Sequence, residues 1–168
     1  GVLVAIAAAL ICIHYTWPEL FARQCAVEPL RSMFPSMRLE GARFISDGQT
    51  RDLKMLLQKI ALRPKEGYLV SFVVAEVHGP EPVTLTVDLC GEGYDSPDQE
   101  FQVKLDPGTK NKKIHHVFDS GSQTPSFASL RIFFDSSSRI VFENINIIRE
   151  NRRDQARTGL AILLCLIF

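Results

Sequence analysis

The chain has 168 residues, room for one ordinary domain and little more. Its 19 basic and 19 acidic residues cancel, so the basic excess of a nucleic-acid-binding surface is missing. The hydrophobic share of 46% is ordinary as an average, but it is unevenly spread and concentrates at the two ends.

Gly1–Ile13 holds no charged or strongly polar residue, and the apolar stretch continues through His14, Tyr15 and Trp17 before Pro18 and Glu19. Residues 1–17 read as a transmembrane helix. A bilayer core takes ~20 apolar residues to cross, and the chain begins without Met, so the segment is expected to be longer than the stretch seen. A signal peptide would show a basic leader and a small-residue cleavage site, and neither is present. Tyr15 and Trp17 stand where apolar meets polar sequence, the level that amphipathic rings favour in a membrane. Pro18 ends or redirects the helix.

Residues 18–36 read as a connector with Pro18, Pro29 and Pro35, and with a short surface helix around Glu19–Arg31. From Met37 the pattern changes to strands. Arg38–Ile45 is a weak one. Leu53–Leu62 would also suit a short helix, but Pro64 and the Lys65-Glu66-Gly67 turn lead straight into the next strand, which favours strand. Tyr68–Val77 is almost continuously apolar, as in a central strand. Val83, Leu85, Val87 and Leu89 alternate with Thr84, Thr86 and Asp88, a period of two that buries one face and wets the other. Phe101, Val103 and Leu105 repeat that pattern. Lys113–Asp119 is weaker. Leu130, Ile132 and Phe134 alternate again, with Phe133 thickening the strand. Ile140 and Phe142, then Ile145 and Ile147, change phase at Glu143–Asn144, which predicts a β-bulge there. Glycine, proline and short polar residues mark the turns between these segments. Residues 37–148 are therefore expected to form an antiparallel, jelly-roll-like β-sandwich.

Residues 149–158 read as a basic juxtamembrane linker. Arg149, Arg152, Arg153 and Arg157 mix with Glu150 and Asp154, a composition that suits either lipid headgroups or a solvated linker. Residues 159–168 are wholly apolar and read as a second, truncated transmembrane helix. The arginines argue for a cytoplasmic domain, but that rule fades for a loop this long, so the periplasmic or extracellular side is expected.

No motif of catalysis, of phosphate or dinucleotide binding, or of metal ligation occurs, and no catalytic, cofactor or metal residue is assigned. His115 and His116 are neighbours on a strand and should point to opposite faces. Asp95, Asp98 and Glu100 read as a solvated acidic loop before a calcium site. Asp88, Glu92, Asp135 and Glu143 have the right chemistry for acid–base work, but each reads better as a wet-face or turn residue. Cys12 and Cys165 lie in the apolar segments. Cys25 and Cys90 are the two that could pair.

Phe127–Ile148 reads Phe-Ala-Ser-Leu-Arg-Ile-Phe-Phe-Asp, a serine turn, then Arg-Ile-Val-Phe-Glu-Asn-Ile-Asn-Ile. This resembles the last two strands of carbohydrate-binding-module-like jelly rolls, also called galactose-binding-like domains. Similar sandwiches look like extracytoplasmic domains of multi-pass bacterial membrane proteins, glycan-handling enzymes among them. The resemblance implies the fold. It assigns no sugar-binding residues, because sugar platforms commonly use exposed Trp and Tyr. Here the β-region has only Tyr68 and Tyr94, and its Phe residues fall mostly at core-facing positions. Tyr94, in the Gly91–Gln99 loop, is the first candidate contact.

Three functions follow. The leading one is a non-enzymatic, membrane-anchored sandwich that serves as an accessory or scaffold subunit, touching lipid and other membrane-protein subunits. The alternative is a carbohydrate-binding module or accessory domain of a membrane glycan-processing enzyme or glycosyltransferase. The third makes the chain a slice of a larger multi-pass transferase.

Overall fold

The computed structural model describes residues 3, 4, 6, 23–49, 51–91, 100–121 and 127–150. Within them lie eleven strands: β1 (Arg23–Gln24), β2 (Arg31–Ser32), β3 (Met37–Glu40), β4 (Arg43–Ser46), β5 (Asp52–Ala61), β6 (Gly67–His78), β7 (Val83–Cys90), β8 (Glu100–Leu105), β9 (Lys110–Asp119), β10 (Phe127–Ser136) and β11 (Arg139–Glu150). They form two antiparallel sheets. The first runs β3-β4-β11-β6-β9, with β1 added to β11, and the second runs β2-β5-β10-β7-β8.

The alternation read from the sequence sets the faces. Val83, Leu85, Val87 and Leu89 are buried, as are Leu130, Ile132 and Phe134. They meet Val70, Phe72, Val74 and Phe142 from the facing sheet in one continuous core. Leu53–Leu62 is strand, as expected. The bulge on the last strand also forms: the register between β11 and β6 shifts between Glu143 and Asn146, and Asn144 takes a φ of 52°. Asn tolerates this left-handed conformation because its short side chain can bond locally.

Two expectations are corrected. The stretch around Glu19–Arg31 is not a helix over its described part. Residues 23–24 pair with β11, Ala26 bridges to Ile60, and residues 31–32 pair with β5. The open edges of β11 and β5 offer unpaired backbone groups, and the extended chain satisfies them: Val27 N–H donates to the Lys59 carbonyl at 2.9 Å and Ala61 N–H to the Cys25 carbonyl at 2.9 Å. Arg38–Ile45 is not one strand but the β3–β4 hairpin, reversed at Gly41, whose φ of 62° needs glycine. The sheets thus take in residues on both sides of the stretch read as the sandwich.

Among the described residues no helix is long and apolar enough to cross a membrane. Leu3, Val4 and Ile6 are helical and exposed. The rest of residues 1–17 and all of residues 159–168 lie outside the described residues, as do Tyr15, Trp17, Arg152, Arg153 and Arg157.

One end of the sandwich carries the turns after β6, β8 and β10. There an inward position of β5 holds Lys54, whose ammonium meets Asp52 Oδ1 at 2.6 Å and the Ser136 carbonyl at 2.8 Å. Gly79, in the turn after β6, lies against Ser138, and a Cβ at position 79 would collide with the Ser138 hydroxyl. Gly79→Ala is therefore expected to lower stability by about 1–3 kcal/mol through local overpacking, measured by urea unfolding. A variant as stable as the parent would show that the turn yields freely.

Candidate functional site

On the second sheet every other residue of β5, β7, β8 and β10 points away from the core. β10 presents Phe127, Ser129, Arg131, Phe133 and Asp135, and it is flanked on both sides. Arg131 stands in register with Asp88 on one side and Leu57 on the other, and Phe133 with Thr86 and Met55. Beyond β7, Asp88 and Thr86 face Glu100 and Gln102 on β8.

Although they point outward, Thr86 and Asp88 are only 8% and 7% exposed. Their neighbours along the margins are exposed: Glu100, Gln102 and Lys104 on β8, Leu53 and Phe127 on the other side. The middle of this face is a shielded strip between exposed margins, and in that sense a trough. Its floor combines half-buried Met55, Leu57 and Phe133 with an ion pair. Arg131 grips Asp88 with two hydrogen bonds, Nε to Oδ1 at 2.7 Å and Nη2 to Oδ2 at 2.5 Å. The fork geometry fixes the guanidinium plane. The same guanidinium lies 6.0 Å from the Phe133 ring centre, and the Lys59 ammonium lies 5.0 Å from that of Phe127. On the margin Gln102 Nε2 donates to Glu100 Oε1 at 2.9 Å.

The arrangement supplies oriented donors and acceptors beside an aromatic face. A polyhydroxylated ring needs that pairing, since its hydroxyls seek planar polar groups and its C–H face seeks an aromatic surface.

Asp88 was named in the sequence for its chemistry and read as a wet-face residue; here it is shielded and paired. Arg131, Phe133, Met55 and Leu57 were missed. A signal existed, because all three apolar residues break the alternation of their strands on the outward phase. Asp135 is exposed and Glu143 pairs with Arg43 at 2.6 Å on the other sheet. Glu92 and Tyr94 lie outside the described residues. The ends of their loop, Gly91 and Glu100, adjoin the Asp88–Glu100 row. Tyr68 is fully buried, and its hydroxyl accepts the Arg63 N–H at 2.6 Å.

His115 and His116 do take opposite sides. His115 is exposed, while His116 turns inward at the open β8–β9 edge and stacks on Phe101 with ring centres 4.2 Å apart. Burial holds the His116 pKa below the ordinary imidazole value. The unfolded chain therefore takes up the proton more readily than the folded one. Stability from this site is present above the ordinary value and is lost as pH falls through the folded pKa. His116→Phe keeps the stack and should lose less stability than the parent between about pH 7.5 and about pH 5, read from urea midpoints. Equal losses would show that His116 is protonated as easily folded as unfolded.

Cys25 and Cys90 do not join each other in a disulfide. Cys25 is buried between the sheets with its thiol on the Ile147 carbonyl, and burial pushes its pKa up to about 11. Among the described residues no group of three or more His, Cys, Asp or Glu is placed to hold a metal ion.

No family model matches the sequence. No curated protein matches it either. Solved structures do resemble the fold. The xylan-binding domain CBM22-2 of Paenibacillus barcinonensis Xyn10C superposes with a TM-score of 0.51 at 13% identity, covering 74% of this chain and 93% of that domain. The tandem CBM22-1–CBM22-2 domain of the same Xyn10C gives 0.51 at 13% identity over 78% of this chain and 50% of that one. A family 61 module in complex with β-1,4-galactotriose gives 0.49 at 12% identity, over 74% and 91%. At such identities the likeness is one of fold, and the fold is the antiparallel sandwich of carbohydrate-binding modules.

Proposed function

We propose that the domain binds a glycan in the trough on the outer face of the second sheet, holding it without chemical change. The observation that carries this reading is the shielded Arg131–Asp88 fork set beside the outward-facing Phe133 and half-buried Met55 and Leu57. Arg131 and Asp88 would bond hydroxyls while Phe133 offers a stacking face. The likeness of fold to a xylan-binding domain supports it. Tyr94 belongs to the same proposal, because its loop leaves and rejoins the sheet beside the Asp88–Glu100 row. Among the described residues the scaffold role read first from the sequence has no comparable constellation behind it, so glycan binding is preferred. The domain would then work on the periplasmic or extracellular side, as the accessory part of a glycan-handling membrane protein.

A glycan array probed with the detergent-solubilised full chain tests this. Retention of a defined class of polysaccharide is expected. Phe133→Ala should weaken it about tenfold, or about 1.4 kcal/mol, by removing the stacking ring. An array with no retained glycan, or full affinity in Phe133→Ala, would remove the trough as the site.

A further inference from the structure

The β1–β11 pairing sets Arg23 opposite Arg149 and Gln24 opposite Ile148. The chain thus enters and leaves the sandwich on adjacent strands at one end. Directly opposed residues of an antiparallel pair lie only ~5 Å apart. The residues beyond this doorway are those with the longest apolar runs in the sequence, Gly1–Ile13 and Gly159–Phe168, the second preceded by Arg152, Arg153 and Arg157.

The surface beside the doorway is built for a charged, partly apolar neighbour. The 62–66 loop between β5 and β6 presents exposed Arg63, Pro64 and Lys65. Its backbone is fixed from below. Lys65 N–H donates to the Gly121 carbonyl at 2.6 Å, Ser120 Oγ–H to the Arg63 carbonyl at 2.6 Å, and Glu66 N–H to Ser120 Oγ at 3.0 Å. Phe127, at the same end, is 48% exposed beneath Lys59. Arg149 is 8% exposed, and its Nε has no hydrogen-bond partner among the described residues. This end also carries acidic groups among the described residues: half-buried Glu28, 3.8 Å from Lys59, and exposed Asp119 opposite Gly67. The opposite end mixes Arg51 and Lys110 with Glu81 and Asp106.

We propose that the Arg63–Lys65 loop and Phe127, beside the Arg23–Arg149 doorway, rest on the headgroups of an anionic bilayer, with the two apolar flanks entering it side by side. Basic side chains near such a surface each gain about 1 kcal/mol from its potential, and an exposed ring settles at the headgroup level.

The test uses the full chain in vesicles containing phosphatidylserine and a headgroup-attached quencher. An environment-sensitive probe is placed by Lys65→Cys or, at the opposite end, by Glu81→Cys, each in a background with Cys12→Ala, Cys25→Ala, Cys90→Ser and Cys165→Ala. Quenching several-fold stronger at position 65 than at 81 is expected. It should fall when Arg63→Glu and Phe127→Ser are added, and it should fall in pure phosphatidylcholine. Equal quenching at both positions, stronger quenching at 81, indifference to those changes, or a chain that stays off the vesicles would each overturn the proposal. Glycan retention by the same preparation is read separately, so failure of one reading leaves the other standing.

Discussion

Phe142→Ala is expected to cost about 3–5 kcal/mol, a large part of the ~5–15 kcal/mol that holds an ordinary domain folded. Phe142 is fully buried on β11, the strand that pairs with β1, β4 and β6. Its ring lies 6.1 Å from Phe72 within its own sheet and 6.0 Å from Phe134 in the facing sheet. The benzyl group therefore ties the sheets together at their middle. Its removal loses transfer energy and leaves a void walled by two rings that strand pairing holds in place, so the site cannot collapse cheaply. Urea unfolding should show a sharply lower midpoint with little change in slope. Phe142→Leu, which refills most of the space, should recover more than half the loss. A cost below about 1 kcal/mol would mean that the sheets can close over the gap.

The second large effect lies in the trough. Arg131→Met strips the partner from Asp88, whose side chain is 10% exposed, whereas the Arg131 side chain is 32% exposed. Breaking a buried pair on one side costs about 3–5 kcal/mol; discounted for the partial solvation of Arg131, about 2–3 is expected. Asp88→Ala should cost less, because the guanidinium is the more exposed of the two groups and already reaches water. The double variant Arg131→Met with Asp88→Leu should return to within about 1 kcal/mol of the parent, since two apolar side chains can replace a shielded pair nearly without loss. Glycan retention should be lost in all three. Recovery of stability without recovery of binding separates the pair's function from its role in folding. A destabilisation of Arg131→Met below about 0.5 kcal/mol would show that Asp88 is well solvated and that the face has no trough.

Much of the fold is legible where one residue in two is apolar, as along Val83–Leu89 and Leu130–Phe134. There the choice of buried face is made locally by hydrophobicity. The bulge at Asn144 is legible for the same reason, because a change of phase in the apolar pattern needs an extra residue. β1 and β2 are not. Two-residue strands have no pattern of their own and exist because β11 and β5 leave edges to be paired. The trough is hidden for a related reason. Arg131 and Asp88 are 43 positions apart, and only strand order makes them neighbours. Met55, Leu57 and Phe133 each look like a small fault in alternation when read singly. Once β5 and β10 pair, the faults line up.

The Arg23–Arg149 register also bears on how such a domain can be carried by other chains. Closely spaced ends are what allow one domain to be inserted into another, because the host needs to open by no more than the width of a tight turn. To a host joined at Arg23 and Arg149, the whole sandwich would take the place of a hairpin loop, and such a host could gain or lose it without changing the spacing of the joined ends.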